Sequence, residues 1–142
     1  MKDFGLRLIG CTYGVGRVRW ENPQLPDLIV WQRARQLARA AQVLCDRLPQ
    51  GVRPWLADQI LRASFSITGN IAEGRGRLSK AENARFLLIA RGSLNELESH
   101  VEQASDLGYV TADSTRLVRD LATEVGRMLN AQIRKLSGRR LR

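Results

Sequence analysis

The 142-residue chain has two cysteines, a single histidine and only 6% aromatic residues, and no apolar stretch approaches the roughly 18 residues that a membrane span needs. Each scarcity excludes something. Cys11 and Cys45 fit no CxxC pattern, so neither a disulfide framework nor a zinc site is indicated, and a reduced compartment is the simpler expectation. His100 alone cannot supply a metal centre, and it lacks the Glu three residues before it that di-metal helical bundles require. No Ser/His/Asp arrangement is available for nucleophilic catalysis. The N-terminus has no apolar core followed by a cleavage site, which points to a cytoplasmic chain without a membrane role. These gaps leave a binding or scaffolding protein, with no catalytic residue, no metal and no cofactor expected.

What is present is ordinary globular material with a strong charge bias. Hydrophobic residues make up 44% and charged residues 26%, enough for one domain with a real core. The formal net charge is +9, a balance that favours polyanionic partners such as nucleic acid, anionic membrane or an acidic protein. Twenty of the 23 basic residues are arginine, but arginine richness also follows from genomic base composition and chooses no partner by itself.

Residues 1–26 are rich in Gly and Pro, have little helical periodicity and read as an irregular tail. From Asp27, a candidate cap, the stripe Leu28, Trp31, Ala34, Leu37, Ala41, Leu44 and Leu48 predicts a first helix over about 28–48, ended by Pro49 and Gly51. Pro54 suits a helix first turn, and Leu56, Ile60, Ala63, Ile67 and Ile71 continue a second helix until Gly74 and Gly76 break it. Ser79-Lys80-Ala81-Glu82 has the spacing of a capping box, in which hydroxyl and carboxylate satisfy orphaned backbone donors. A third helix follows, with Leu87, Ala90, Leu94, Leu97, Val101 and Ala104 spaced alternately by three and four, and Gly108 as its stop. Thr111 or Asp113 caps a fourth helix carrying Val118, Leu121, Val125, Leu129 and Ile133 and ending at Gly138. Trp31 and Trp55 sit where core or interface anchors belong.

Long helices joined by short loops fold back on their neighbours, so the expected fold is all-α, an antiparallel up-down-up-down four-helix bundle over residues 27–138 with a basic tail at 139–142. Gly69, Gly92 and Gly126 fall inside helices, where close helix approach and tolerated surface glycine are both open. Gly74-Arg75-Gly76-Arg77 lacks P-loop spacing and follows no strand, so it reads as an exposed elbow rather than a nucleotide cradle.

Chain reversal gives that elbow its interest. The start of the first helix, the turn between the second and third, and the end of the fourth all lie at one end of such a bundle. That end gathers Arg17, Arg19, Arg75, Arg77, Lys80, Arg134, Lys135, Arg139, Arg140 and Arg142, against Glu21, Asp27, Glu73 and Glu82. The second half of the third helix is the reverse: Glu96, Glu98, Glu102 and Asp106, with no Lys or Arg between Gly92 and Gly108. A 20-residue helix is about 30 Å long and the Debye length is about 8 Å at physiological salt, so the far carboxylates cannot screen the basic end. Arg75, Arg77, Lys80, Arg134, Lys135, Arg139 and Arg140 are therefore the candidate nucleic-acid-binding residues. Trp20, close after Arg17 and Arg19, is the one aromatic that could stack on a base.

"DLIVWQRARQL" (27–37), "SITGNIAEGRGRLSKAENARFLLIARGSLNELE" (66–98), "DLGY" (106–109) and "EVGRMLN" (124–130) resemble the four-helix-bundle family of the ribosomal RNA intervening-sequence protein, which also holds the accessory variability determinant of diversity-generating retroelements. The resemblance implies a non-enzymatic bundle that assembles as a ring-like homopentamer. For the retroelement members it also implies binding of RNA or DNA and of a reverse transcriptase. The extension before Asp27, Thr68-Gly69 and Asn83-Ala84 depart from the family pattern. Among motif positions, Asn70, Glu73, Arg85, Ser93 and Glu96 are candidates for a buried polar network or an interface. A carboxylate pair of Glu73 and Glu96 for metal-dependent chemistry is the enzyme alternative, and a protein-interaction scaffold with no direct nucleic-acid role is the other.

Overall fold

The computed structural model describes residues 28–138, so the tail before Leu28, including Arg17, Arg19, Trp20 and Asp27, and the terminal Arg139, Arg140 and Arg142 lie outside the described residues. Four helices account for the fold: α1 (Ile29–Cys45), α2 (Arg53–Arg75), α3 (Lys80–Asp106) and α4 (Ala112–Ser137). Each packs against its sequence neighbours, and α1 closes the square against α4, while neither diagonal pair approaches. That is the antiparallel up-down-up-down bundle.

The apolar stripes meet along the central axis. Leu37, Leu44, Ile60, Ile67, Ile71, Leu97, Val101, Val125 and Leu129 are all fully enclosed, and burying one such side chain stabilises the fold by about 1.5–3 kcal/mol. Polar groups that enter the core are satisfied within their own helix: Ser64 Oγ donates to Leu61 O at 2.8 Å and Thr115 Oγ1 to Ala112 O at 2.9 Å. Trp55 does not join them. It sits in the first turn of α2 and is 54% exposed, because Leu56 takes the inward position beside it.

Helix boundaries follow local chemistry. Ser79 Oγ accepts from Glu82 N at 3.4 Å and opens α3, and Thr111, not Asp113, accepts from Ser114 N at 3.2 Å and opens α4. The sequence-based end of the first helix is corrected by three residues. α1 stops at Cys45, where Arg47 N and Leu48 N switch to i−3 acceptors, although Leu48 remains buried beneath the turn. Gly108 (φ +73°) lies just past α3 and Gly138 (φ +62°) caps α4, both in the left-handed region where a side chain is strained.

The elbow between α2 and α3 is built differently from its sequence reading. Gly74 does not break α2, which runs on to Arg75, and Gly76 at φ −75° has a conformation open to any residue. Gly74 is there for space: a Cβ on it would stand 3.0 Å from Phe86 Cβ and 3.2 Å from the backbone oxygen of Asn83 on α3. The glycine lets two helices touch, and that contact fixes where the elbow's arginines emerge.

Candidate nucleic-acid interface

The elbow and the end of α4 converge. Arg75 from the last residue of α2 and Lys135 from the last turn of α4 line one hollow of about 210 Å³, together with Leu28, Asn83, Gln132 and Leu136. Four segments distant in sequence thus share one pole of the bundle. Arg134 and Lys80 are exposed there as well. Arg139 and Arg140 follow Gly138 directly in sequence but lie outside the described residues.

The cations at this pole are held in different ways. Arg77 is folded back on the elbow: its guanidinium pairs with Glu73, one turn earlier, and lies 4.9 Å from the centre of the Phe86 ring. Its charge is partly balanced by Glu73, although an exposed pair of this kind contributes only about 0–1 kcal/mol. Arg75, Arg134 and Lys135 occupy helix C-termini, where cations also oppose the helix dipole. Lys80 has no such use, because it stands at the first position of α3, where the dipole disfavours a positive charge.

The polar constellation is smaller than the motif positions suggest. Asn70 Nδ2 donates to Ser66 O at 2.8 Å and to Ser66 Oγ at 3.1 Å, and Ser93 Oγ donates to Ile89 O at 3.2 Å. Since both ends are committed, the 2.7 Å contact between the two serine hydroxyls must run from Ser66 to Ser93. The result is a one-way chain from Asn70 through Ser66 and Ser93 to a backbone carbonyl, tying α2 to α3. Ser66 was legible only as one turn before Asn70.

Of the two expectations for Glu73, Arg85 and Glu96, a buried network or an interface, the first is corrected: none of them joins that hydrogen-bond chain. Glu73 is exposed on α2 and pairs with Arg77 one turn later rather than with α3. Arg85 is exposed on α3 and makes no hydrogen bond or ion pair among the described residues. Glu96 faces His100 Nε2 at 3.7 Å, close enough to feel a protonated imidazole but too far for a hydrogen bond. The His100 Nε2 is accordingly buried without a hydrogen-bond partner among the described residues.

Elsewhere the chemistry is quiet. Burial, then the neighbouring Asp46 carboxylate, pushes the Cys45 thiol up to about 11, only partly offset by Arg53, so it stays protonated and unreactive at neutral pH. Among the described residues no group of three or more His, Cys, Asp or Glu could hold a metal ion, and no helix is long and apolar enough to cross a membrane.

The fold and this pole define a class: an all-helical bundle with cations from separate segments gathered at one end. The sequence profile described as 23S rRNA-intervening sequence protein matches residues 26–131, and the chain belongs to that family. Among solved structures it is similar to a protein of unknown function from the S23 ribosomal protein family of Bacteroides thetaiotaomicron VPI-5482, with 26% identity and a TM-score of 0.68 over 74% of this chain and 98% of that one. No protein of curated function matches.

Proposed function

We propose that this chain is a non-catalytic, self-associating helical bundle that binds the phosphate backbone of RNA or DNA through its basic pole. The observation that carries this reading is the shared hollow lined by Arg75 and Lys135, which brings cations from α2 and α4 within one footprint. Guanidinium and ammonium groups gathered at one end contact phosphates rather than base edges, so binding is sequence-blind and salt-dependent. Self-association multiplies such weak contacts through avidity, and the homopentamer implied by the resemblance is the form we propose. An accessory place beside a reverse transcriptase belongs to the same proposal, as does a cytoplasmic location.

The test is retention on polynucleotide across a salt series. With about four phosphates neutralised per site, log K falls with log salt at a slope near −3 to −4. Charge reversal at Arg75, Arg77, Arg139 and Arg140 lowers affinity across all sequences alike. Wild-type-like binding by that variant removes those residues from the role.

A scaffold without a direct nucleic-acid role is the second reading, favoured by one observation. Val43 (55% exposed) and Leu117 (61% exposed) line a groove of about 670 Å³ between α1 and α4, whose apolar face suits a protein partner. Under that reading a partner protein binds while polynucleotide is not retained at moderate salt.

A further inference from the structure

A second groove, between α1 from Trp31 to Gln42 and the second half of α2, has a different character. It holds about 510 Å³, within the range of small-ligand sites, and its lining includes Trp31, Arg35, Arg39, Phe65, Gly69 and Ala72 but no carboxylate. Three features of it, an exposed ring, a mid-helix glycine and a pair of arginines, are not accounted for by packing among the described residues.

Phe65 is 61% exposed, an aromatic ring left at the lip of an apolar slot. Gly69 sits mid-helix, where glycine costs about 0.5–1 kcal/mol against alanine, yet nothing lies within 4 Å of where its Cβ would be. Close helix packing therefore does not account for it; what the missing side chain does is leave the floor of the groove open. Arg39 makes no hydrogen bond or ion pair among the described residues, and Arg35 is held over the Trp31 ring at 4.8 Å from its centre. Both project from a helix that contains no acidic residue.

We infer that this groove is a binding site for unpaired nucleotides, with a base stacked on Phe65 above the Gly69 floor and its phosphates held by Arg35 and Arg39. The inference rests on the nucleic-acid reading of the basic pole and adds a preference for single strands. Exposed π-faces and guanidinium planes without carboxylates match a ligand that is flat, apolar on its faces and negatively charged at its edge. Duplex fails the first condition, since its base faces are buried in the stack. Continuity favours the same occupant: Ala72 is one turn before Arg75, so a strand leaving the groove arrives at the pole.

A single-stranded oligonucleotide of about a dozen residues carrying 2-aminopurine reports stacking directly, with a duplex of equal length as reference. Wild-type protein is expected to bind the single strand more tightly than the duplex and to change its 2-aminopurine fluorescence. Phe65→Ala should weaken the single strand roughly tenfold, the scale of one lost base–aromatic stack, while leaving the duplex and the salt slope unchanged. Gly69→Leu should fill the floor and abolish the fluorescence change, while Gly69→Ala, which projects little, should preserve most of it. Thermal melts of each variant confirm folding, because these side chains lie outside the core.

Two results overturn the groove alone: duplex retention at the pole with no effect of Phe65→Ala, or loss of self-association by Gly69→Leu with single-strand affinity intact, which assigns the groove to a second copy or another protein. If wild-type protein retains neither single strand nor duplex, the reading of the pole falls too.

Discussion

Three glycines inside helices give the sharpest quantitative test of the packing, because the same substitution meets three different surroundings. Glycine to alanine in a helix interior gains about 0.5–1 kcal/mol from backbone entropy and propensity. At Gly69 nothing opposes that gain, as no atom lies within 4 Å of the new methyl. At Gly126 the methyl meets Leu94 Cδ2 at 3.3 Å, the free end of a side chain that can shift. At Gly74 it meets Phe86 Cβ at 3.0 Å and the Asn83 backbone oxygen at 3.2 Å, both fixed to the α3 backbone. Overpacking of this kind costs about 1–3 kcal/mol and outweighs the propensity term. Gly69→Ala should therefore stabilise the fold by about 0.5–1 kcal/mol, Gly126→Ala should change little, and Gly74→Ala should destabilise it by about 0.5–2 kcal/mol. Urea melts followed by helical circular dichroism at low protein concentration read all three, with the m-value checked for constancy. Equal stabilisation at Gly69 and Gly74 would refute the claim that α2 and α3 touch at the elbow.

Other outcomes follow from individual side chains. Burial, and then Glu102, raises the Glu98 carboxyl above its ordinary value. A carboxyl whose folded pKa is raised adds stability below the unfolded pKa and loses it as pH rises through the folded value, so Glu98→Gln should raise the melting temperature at pH 7 and lose that advantage at pH 3.5. Cys45, buried and with its thiol pushed up to about 11, should resist iodoacetamide in the native protein and react fully in urea; fast native alkylation would contradict its burial. Ser66→Ala removes the middle of the Asn70–Ser66–Ser93 chain and should cost about 0.5–1.5 kcal/mol in urea melts. A double-mutant cycle with Ser93→Ala should show coupling, and strict additivity would argue against the chain of hydroxyls.

Much of the bundle was legible because its information is periodic and local. The stripe of α2, from Leu56 through Ile71, and that of α3, from Leu87 through Ala104, are buried as their spacing requires. Ser79 and Gly108 mark the two ends of α3 through capping chemistry that is readable in a few letters. Failures arose where a residue's role depends on another helix. Gly74 looked like a helix breaker, yet its function is set by Phe86 and Asn83 across the elbow. Glu73 and Glu96 looked like members of the same polar network or interface as Asn70, but each faces an i+4 neighbour on its own helix, Arg77 and His100. Ser66 escaped notice because a serine one turn from an asparagine carries no signal until Ser93 is placed opposite. The meeting of Arg75 with Lys135 followed from chain reversal alone.

That meeting is best tested by comparing two charge reversals of equal size at opposite ends of the molecule. Arg134→Glu with Lys135→Glu alters the pole of the elbow; Arg47→Glu with Arg116→Glu makes the same change in net charge near the far loops. With polynucleotide affinity measured against salt, the first pair should lower both the affinity and the steepness of log K against log salt, and the second should change neither by more than a small, uniform amount. Equal losses from both pairs would mean that net charge alone governs retention, and the basic pole would not be a binding surface.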